Sequence, residues 1–122
     1  MKDIALPRKI TLEDKEIFDD VVKAILSVLG DDAVKIILYG SVARGDNTWE
    51  SDVDIAVLTK IKIDRDTRNK LSNAMSKFSL EHDSLFSVIA IEENYFNEWL
   101  FDKPLYFNID EEGIILWTRD TV

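Results

Sequence analysis

The sequence predicts an α+β fold in which a small mixed β-sheet carries helices packed on one face, a two-layer sandwich. Three observations carry that prediction. A segment opening at Thr11 and closing at Gly30 repeats its apolar residues at helical spacing. Apolar runs of strand length follow at 33–39, 52–59 and 85–91. A second helical pattern separates the last two runs, so the order reads helix, strand, strand, helix, strand. At 122 residues and 46% hydrophobic composition, a single domain over 1–122 has enough apolar surface for one compact core.

The elements follow in order. Thr11 with Asp14 reads as an N-cap and its reciprocal acid, opening a helix whose Ile17, Phe18, Val21, Val22, Ile25, Val28 and Leu29 share one face. Gly30 ends it, and Ala33 to Tyr39 forms the first strand. Gly40 to Ser51 is a connection, and Asp52 to Thr59 is the second strand. Asp64 or Asp66 caps a second helix with Leu71, Ala74, Met75 and Phe78 on one face. Leu85 to Ile91 is the third strand. Residues 92–100 and 104–111 read as helical, the second starting after Pro104, and Gly113 releases the chain into a last strand at Ile114 to Trp117.

Composition narrows the function. The chain has no cysteine, which excludes disulfide stapling and thiolate chemistry and is compatible with a reducing cytoplasm. No signal-peptide core follows Met1, and nowhere do eighteen apolar residues run together, so a soluble, cytoplasmic protein without a membrane span is expected. The formal net charge of -9 makes the chain a poor holder of long nucleic acid, because that task relies on Lys and Arg neutralising phosphates. A small molecule, or a partner protein with a basic face, fits better.

Asp52 and Asp54 place two carboxylates in a segment that otherwise reads as a buried strand. Side chains at i and i+2 of a strand point to the same side, with Cα atoms about 6.5 Å apart. Two like charges there repel unless a cation sits between them, so this end of the strand should open on a cleft that takes a divalent metal. Just upstream, Ile36-Ile37-Leu38-Tyr39 stops at Gly40-Ser41 and runs into Val42-Ala43-Arg44-Gly45. A strand that ends in Gly-Ser and starts a short helix presents backbone N–H groups and a hydroxyl suited to phosphate, and Arg44 adds positive charge. Gly40-Ser41 alone is more often an ordinary turn, and either aspartate alone could cap or face solvent. Jointly spaced, they describe a site for a triphosphate with magnesium.

Leu38-Tyr39-Gly40-Ser41, ten residues, then Asp52-Val53-Asp54 resembles the Gly-Ser-x10-Asp-x-Asp signature of the nucleotidyltransferase superfamily that includes DNA polymerase β, and the small size resembles its minimal members. The resemblance implies the nucleotidyltransferase fold, with its site at the rim where strands one and two end and begin, facing away from the helices. It implies an enzyme that moves a nucleoside monophosphate from an NTP, ATP above all, to a hydroxyl with Mg²⁺. Gly40, Ser41 and Arg44 would bind the phosphates; Asp52 and Asp54 would hold metal and act catalytically. Minimal nucleotidyltransferases often pair with a small helical HEPN protein as toxin and antitoxin, so a HEPN-type partner is implied, and an oligomer is compatible with it.

The family normally brings a third carboxylate from the strand after the second helix. Here Leu85-Phe86-Ser87-Val88-Ile89-Ala90-Ile91 offers only Ser87. Asp83 is an alternative on the same side about 13 Å away; Ser87 is favoured as the equivalent and Asp83 as a cap or solvated group. The second function class is therefore an interaction module that keeps the scaffold and has lost the chemistry. His82 reads as a surface residue, and Trp49 either stacks on a base or closes the loop. Tyr95, Phe96, Trp99 and Leu100 form a stripe that reads as core or partner surface, and Glu111-Glu112 as the solvated end of a helix.

Overall fold

The computed structural model describes residues 9–119. Its elements are α1 (Lys15–Leu29), a 3₁₀ turn (Gly30–Asp32), β1 (Ala33–Tyr39), α2 (Gly40–Arg44), β2 (Val53–Thr59), α3 (Arg65–His82), β3 (Phe86–Glu92), α4 (Glu93–Glu98), α5 (Pro104–Glu112) and β4 (Ile114–Thr118). The four strands form one sheet in the order β3-β2-β1-β4. β1 is antiparallel to both β2 and β4, whereas β2 and β3 run parallel because the α3 crossover joins them. The sheet is mixed, as the element order predicts.

Strand periodicity divides the core. Ile36 and Leu38 of β1 and Val53, Ile55 and Val57 of β2 face α1 and α3, where Phe18, Val21, Ile25, Leu71 and Met75 meet them. Ile37, Ala56, Leu58 and Ile91 face the other way and are covered by Phe96 of α4 and Ile109 of α5. The long helices thus lie on one face as expected, and the two short ones add cover on the second. β2 lies between two strands with packing on both faces, which explains its uninterrupted apolar run after Asp54.

Local differences from the sequence reading have simple causes. Thr11 and Asp14 do not cap α1 directly: the Thr11 amide donates to Asp14 Oδ2 at 2.8 Å and the Asp14 amide to the Thr11 carbonyl at 3.0 Å, closing a separate turn before the helix begins at Lys15. Asp64, not Asp66, caps α3, accepting from the Thr67 amide at 2.8 Å. Residues 92–100 are helical only over Glu93–Glu98, because β3 runs through Glu92 to pair with Thr59.

Gly113 joins α5 to β4. A Cβ there would collide with the Ile109 carbonyl and come within 2.5 Å of Ile37 Cγ2, so the junction tolerates no side chain. Gly113→Ala is expected to destabilise the protein by about 1–3 kcal/mol, the usual cost of overpacking a tight core, as read by urea denaturation.

Candidate active site

The site grows from the end of β1. At Gly40 the backbone takes φ +78, and a Cβ at that position would sit 2.6 Å from Asp54 Oδ2. Both facts demand glycine: the left-handed backbone disfavours a side chain, and the missing Cβ leaves the carboxylate its space. α2 then runs for five residues, held down by buried Val42 and Ala43, and ends where the Gly45 amide donates to the Ser41 carbonyl at 2.9 Å. Asn47 pins the following loop, its buried Nδ2 donating to the Ile10 carbonyl at 2.7 Å. A turn closed by the Thr48 amide on Ser51 Oγ (2.9 Å) brings the chain to β2 and leaves Trp49 exposed at its tip.

Asp54 is the centre of the arrangement. It pairs in register with Tyr39 on β1 and with Ser87 on β3. Ser87 Oγ donates to Asp54 Oδ1 at 3.0 Å. Burial pushes the Asp54 carboxyl above the usual carboxylate range; the Ser87 hydrogen bond opposes this, the Asp52 charge adds to it, and Arg44 pulls weakly back. The same surroundings raise the Tyr39 phenol, through burial first and the Asp54 charge second. Asp52 lies exposed just before β2, two residues from Asp54 and on its side of the sheet.

Arg44 is engaged rather than free. Its Nε lies 3.2 Å from Asp46 Oδ2 and its Nη1 3.0 Å from Glu112 Oε2, which tie α2 to the end of α5. Glu112 is exposed, as read from sequence, and in addition pairs with Arg44, so the rim faces away from α1 and α3 but borders α5. Both pairs are exposed, so each is worth little and can yield to a better anion. Asp83 sits at the C-cap of α3 with φ +51, while Ser87 faces Asp54, so the register gives the third-acid position to Ser87. His82 packs beside Phe78 and Phe86. In the aromatic stripe Phe96 is core, and Tyr95 and Trp99 are exposed with Lys103 Nζ 5.8 and 5.9 Å from their rings.

Among the described residues no three acids, histidines or cysteines cluster as a metal site. An exposed carboxylate beside a half-buried one still suits a hard divalent ion, since Mg²⁺ uses one or two protein carboxylates and completes its shell from water and substrate phosphate.

This geometry agrees with sequence relationships. A family model described as "Polymerase beta, Nucleotidyltransferase" matches residues 22–122. The chain belongs to the polymerase beta nucleotidyltransferase family. Within it, the chain is 38% identical over 82 residues to "Putative protein adenylyltransferase MJ0141" of Methanocaldococcus jannaschii, covering 67% of this chain and 83% of that one. In fold it resembles a crystallised toxin–antitoxin with AMP-PNP, at a TM-score of 0.60, 22% identity and coverage of 84% of this chain and 73% of the other. It also resembles a complex of tri-AMPylated Shewanella oneidensis HEPN toxin with MNT antitoxin, at a TM-score of 0.57, 18% identity and coverage of 86% and 72%. Family membership makes the chain a nucleotidyltransferase by class, as its sequence signature implies.

Two outcomes follow from the electrostatics of Asp54. Its raised pKa means the folded state holds a proton more tightly than the unfolded chain does, so its contribution to stability falls as pH rises through the carboxylate range. Asp54→Asn in a chelator should therefore stabilise the protein at pH 7, by on the order of 0.5–1 kcal/mol at this half-exposed site, and the gain should shrink toward zero at acid pH. Thermal melts of both proteins across pH 3–8 check this.

Gly40→Ala should weaken the fold by about 1–3 kcal/mol through its left-handed backbone and the approach to Asp54, with denaturant titration as the readout.

Proposed function

We propose that the chain transfers the nucleoside monophosphate of ATP to a hydroxyl of a partner protein of the HEPN type, using Mg²⁺. The observation that carries this reading is the convergence of Gly40, Asp54 and Ser87 at one rim with Asp52 at its mouth. Kinship with a protein named as an adenylyltransferase supports the adenylyl group and the protein acceptor, and the fold likeness to an MNT antitoxin beside a HEPN toxin supports the partner. The net charge of -9 suits a basic partner face.

Each residue then has a task. Asp52 and Asp54 would hold Mg²⁺, which supplies neutralisation of their charge and polarisation of the α-phosphate. Gly40 keeps the space beside Asp54 Oδ2 clear for a phosphate oxygen, and Ser41 offers its amide and hydroxyl at the start of α2. Arg44 exchanges its exposed pairs with Asp46 and Glu112 for phosphate, a stronger acceptor in bidentate geometry. Ser87 orients Asp54 through Oδ1 but cannot take a proton from the attacking hydroxyl as a carboxylate could. That one feature favours a second reading, an interaction module whose chemistry is impaired.

Incubation with α-labelled ATP, GTP, CTP or UTP, Mg²⁺ and the protein encoded by the neighbouring gene separates the two. Slow transfer of label from ATP to the partner is expected, with Ser87→Asp raising the rate by about 10²- to 10⁴-fold and Asp83→Asn leaving it unchanged. Transfer abolished by Asp83→Asn would move the third acid to Asp83; no transfer under any condition would leave the interaction module.

A further inference from the structure

β3 is an edge strand, and its free side adjoins a cavity of about 400 Å³ lined by Lys62, Arg68, Ile89, Ile91, Tyr95 and Tyr106 among others. Hydrogen-bond direction identifies what that edge offers. The Val53 amide donates to the Leu85 carbonyl, so in a parallel ladder Leu85, Ser87, Ile89 and Ile91 turn their backbone groups toward β2, and Phe86, Val88, Ala90 and Glu92 turn theirs outward. The Phe86 amide confirms the phase by donating outward to Ser79 Oγ at 2.8 Å. No described strand pairs with this side, which leaves the N–H and C=O groups of Val88 and Ala90 open to an added strand.

The cavity is also the place where the charge of the molecule reverses. Lys62 and Arg68 form no ion pair among the described residues, and Glu92 is the one carboxylate in the lining, against a net charge of -9 for the chain. The ring of Tyr95 meets that of Tyr106 edge-on at 6.1 Å, giving an aromatic wall. Ile89 and Ile91 lie on the same sheet face as Ser87, Asp52 and Asp54. From Ser87 to Ile91 is four residues, about 13 Å along the strand.

We propose, building on the acceptor-protein reading above, that the outer edge of β3 binds an extended acidic segment of the acceptor by strand addition, with its carboxylate held between Lys62 and Arg68. A hydroxyl about four residues away on that segment then reaches the rim at Asp54. The backbone of Val88 and Ala90 supplies affinity without sequence preference, and the two cations set the register.

The test needs no catalysis, so its failure is distinct from failure of the transferase reading. The probe is a nine-residue peptide of alternating valines with one tyrosine four residues from a pair of glutamates, and its control carries lysines in their place. Amide hydrogen exchange and chemical shifts of the full chain are followed by NMR at millimolar peptide. The glutamate peptide should slow exchange at Val88 and Ala90, and Lys62→Glu with Arg68→Glu should weaken it by about tenfold or more while ATP affinity is unchanged. Ala90→Pro, which removes one outward N–H, should also weaken it. Equal binding of the lysine peptide, or protection elsewhere than the β3 edge, would overturn the proposal. A fall in ATP affinity in the doubly reversed variant would overturn it too, by making the cavity part of the nucleotide site.

Discussion

One constraint organises the functional end of this molecule: a carboxylate, Asp54, held half-buried at the rim of a sheet with a second carboxylate, Asp52, beside it. Burial and the like charge both oppose ionisation of Asp54, and the cation that acts on it among the described residues is the exposed Arg44, the weakest of the influences. The protein spends hydrogen-bond donors and space instead. Ser87 donates to one oxygen, and Gly40 gives up a side chain so that the other oxygen has room. In the function proposed above, a divalent ion bound here would remove the repulsion that the fold leaves in place.

The sheet topology is what makes the arrangement possible. The antiparallel β1–β2 pair puts the end of one strand beside the start of the next, so Tyr39 and the turn at Gly40 lie against Asp54. The parallel β2–β3 pair, imposed by the α3 crossover, sets Ser87 level with Asp54 on the other side. α1 and α3 fill the opposite face, which keeps the acids' face open at the rim while α4 and α5 cover it further along. The same topology leaves β3 at the edge of the sheet.

Much of this was legible in the residues. Helical spacing located α1 and α3, and the apolar runs located all four strands, because burial of one face or two leaves a periodic trace. The spacing of Gly40 and Asp54 pointed to the rim, since an antiparallel strand-turn-strand sets the end of one strand against the start of the next. Ser87 was found because the family resemblance implies an acid in that strand and Ser87 is the polar residue inside its apolar run. The pairing of Glu112 was not, because an acid at a helix end looks the same in sequence whether it meets water or a distant arginine such as Arg44, 68 residues away. Asn47 and its buried bond to the Ile10 carbonyl were equally silent, as a polar loop residue carries no sign of its partner. The turn at Thr11 misled for a related reason: the capping pattern forms whether or not the helix starts there.

The central claim is that Asp52 and Asp54 form an anion pair completed by a divalent ion and a nucleotide phosphate. Calorimetry of ATP binding with and without Mg²⁺, for wild type, Asp52→Asn and Asp54→Asn, tests it most directly. Binding that requires Mg²⁺ in wild type and falls by tenfold or so in each variant, while both variants stay folded, is the predicted result. Equal affinity in all three proteins, or affinity indifferent to Mg²⁺, would contradict it.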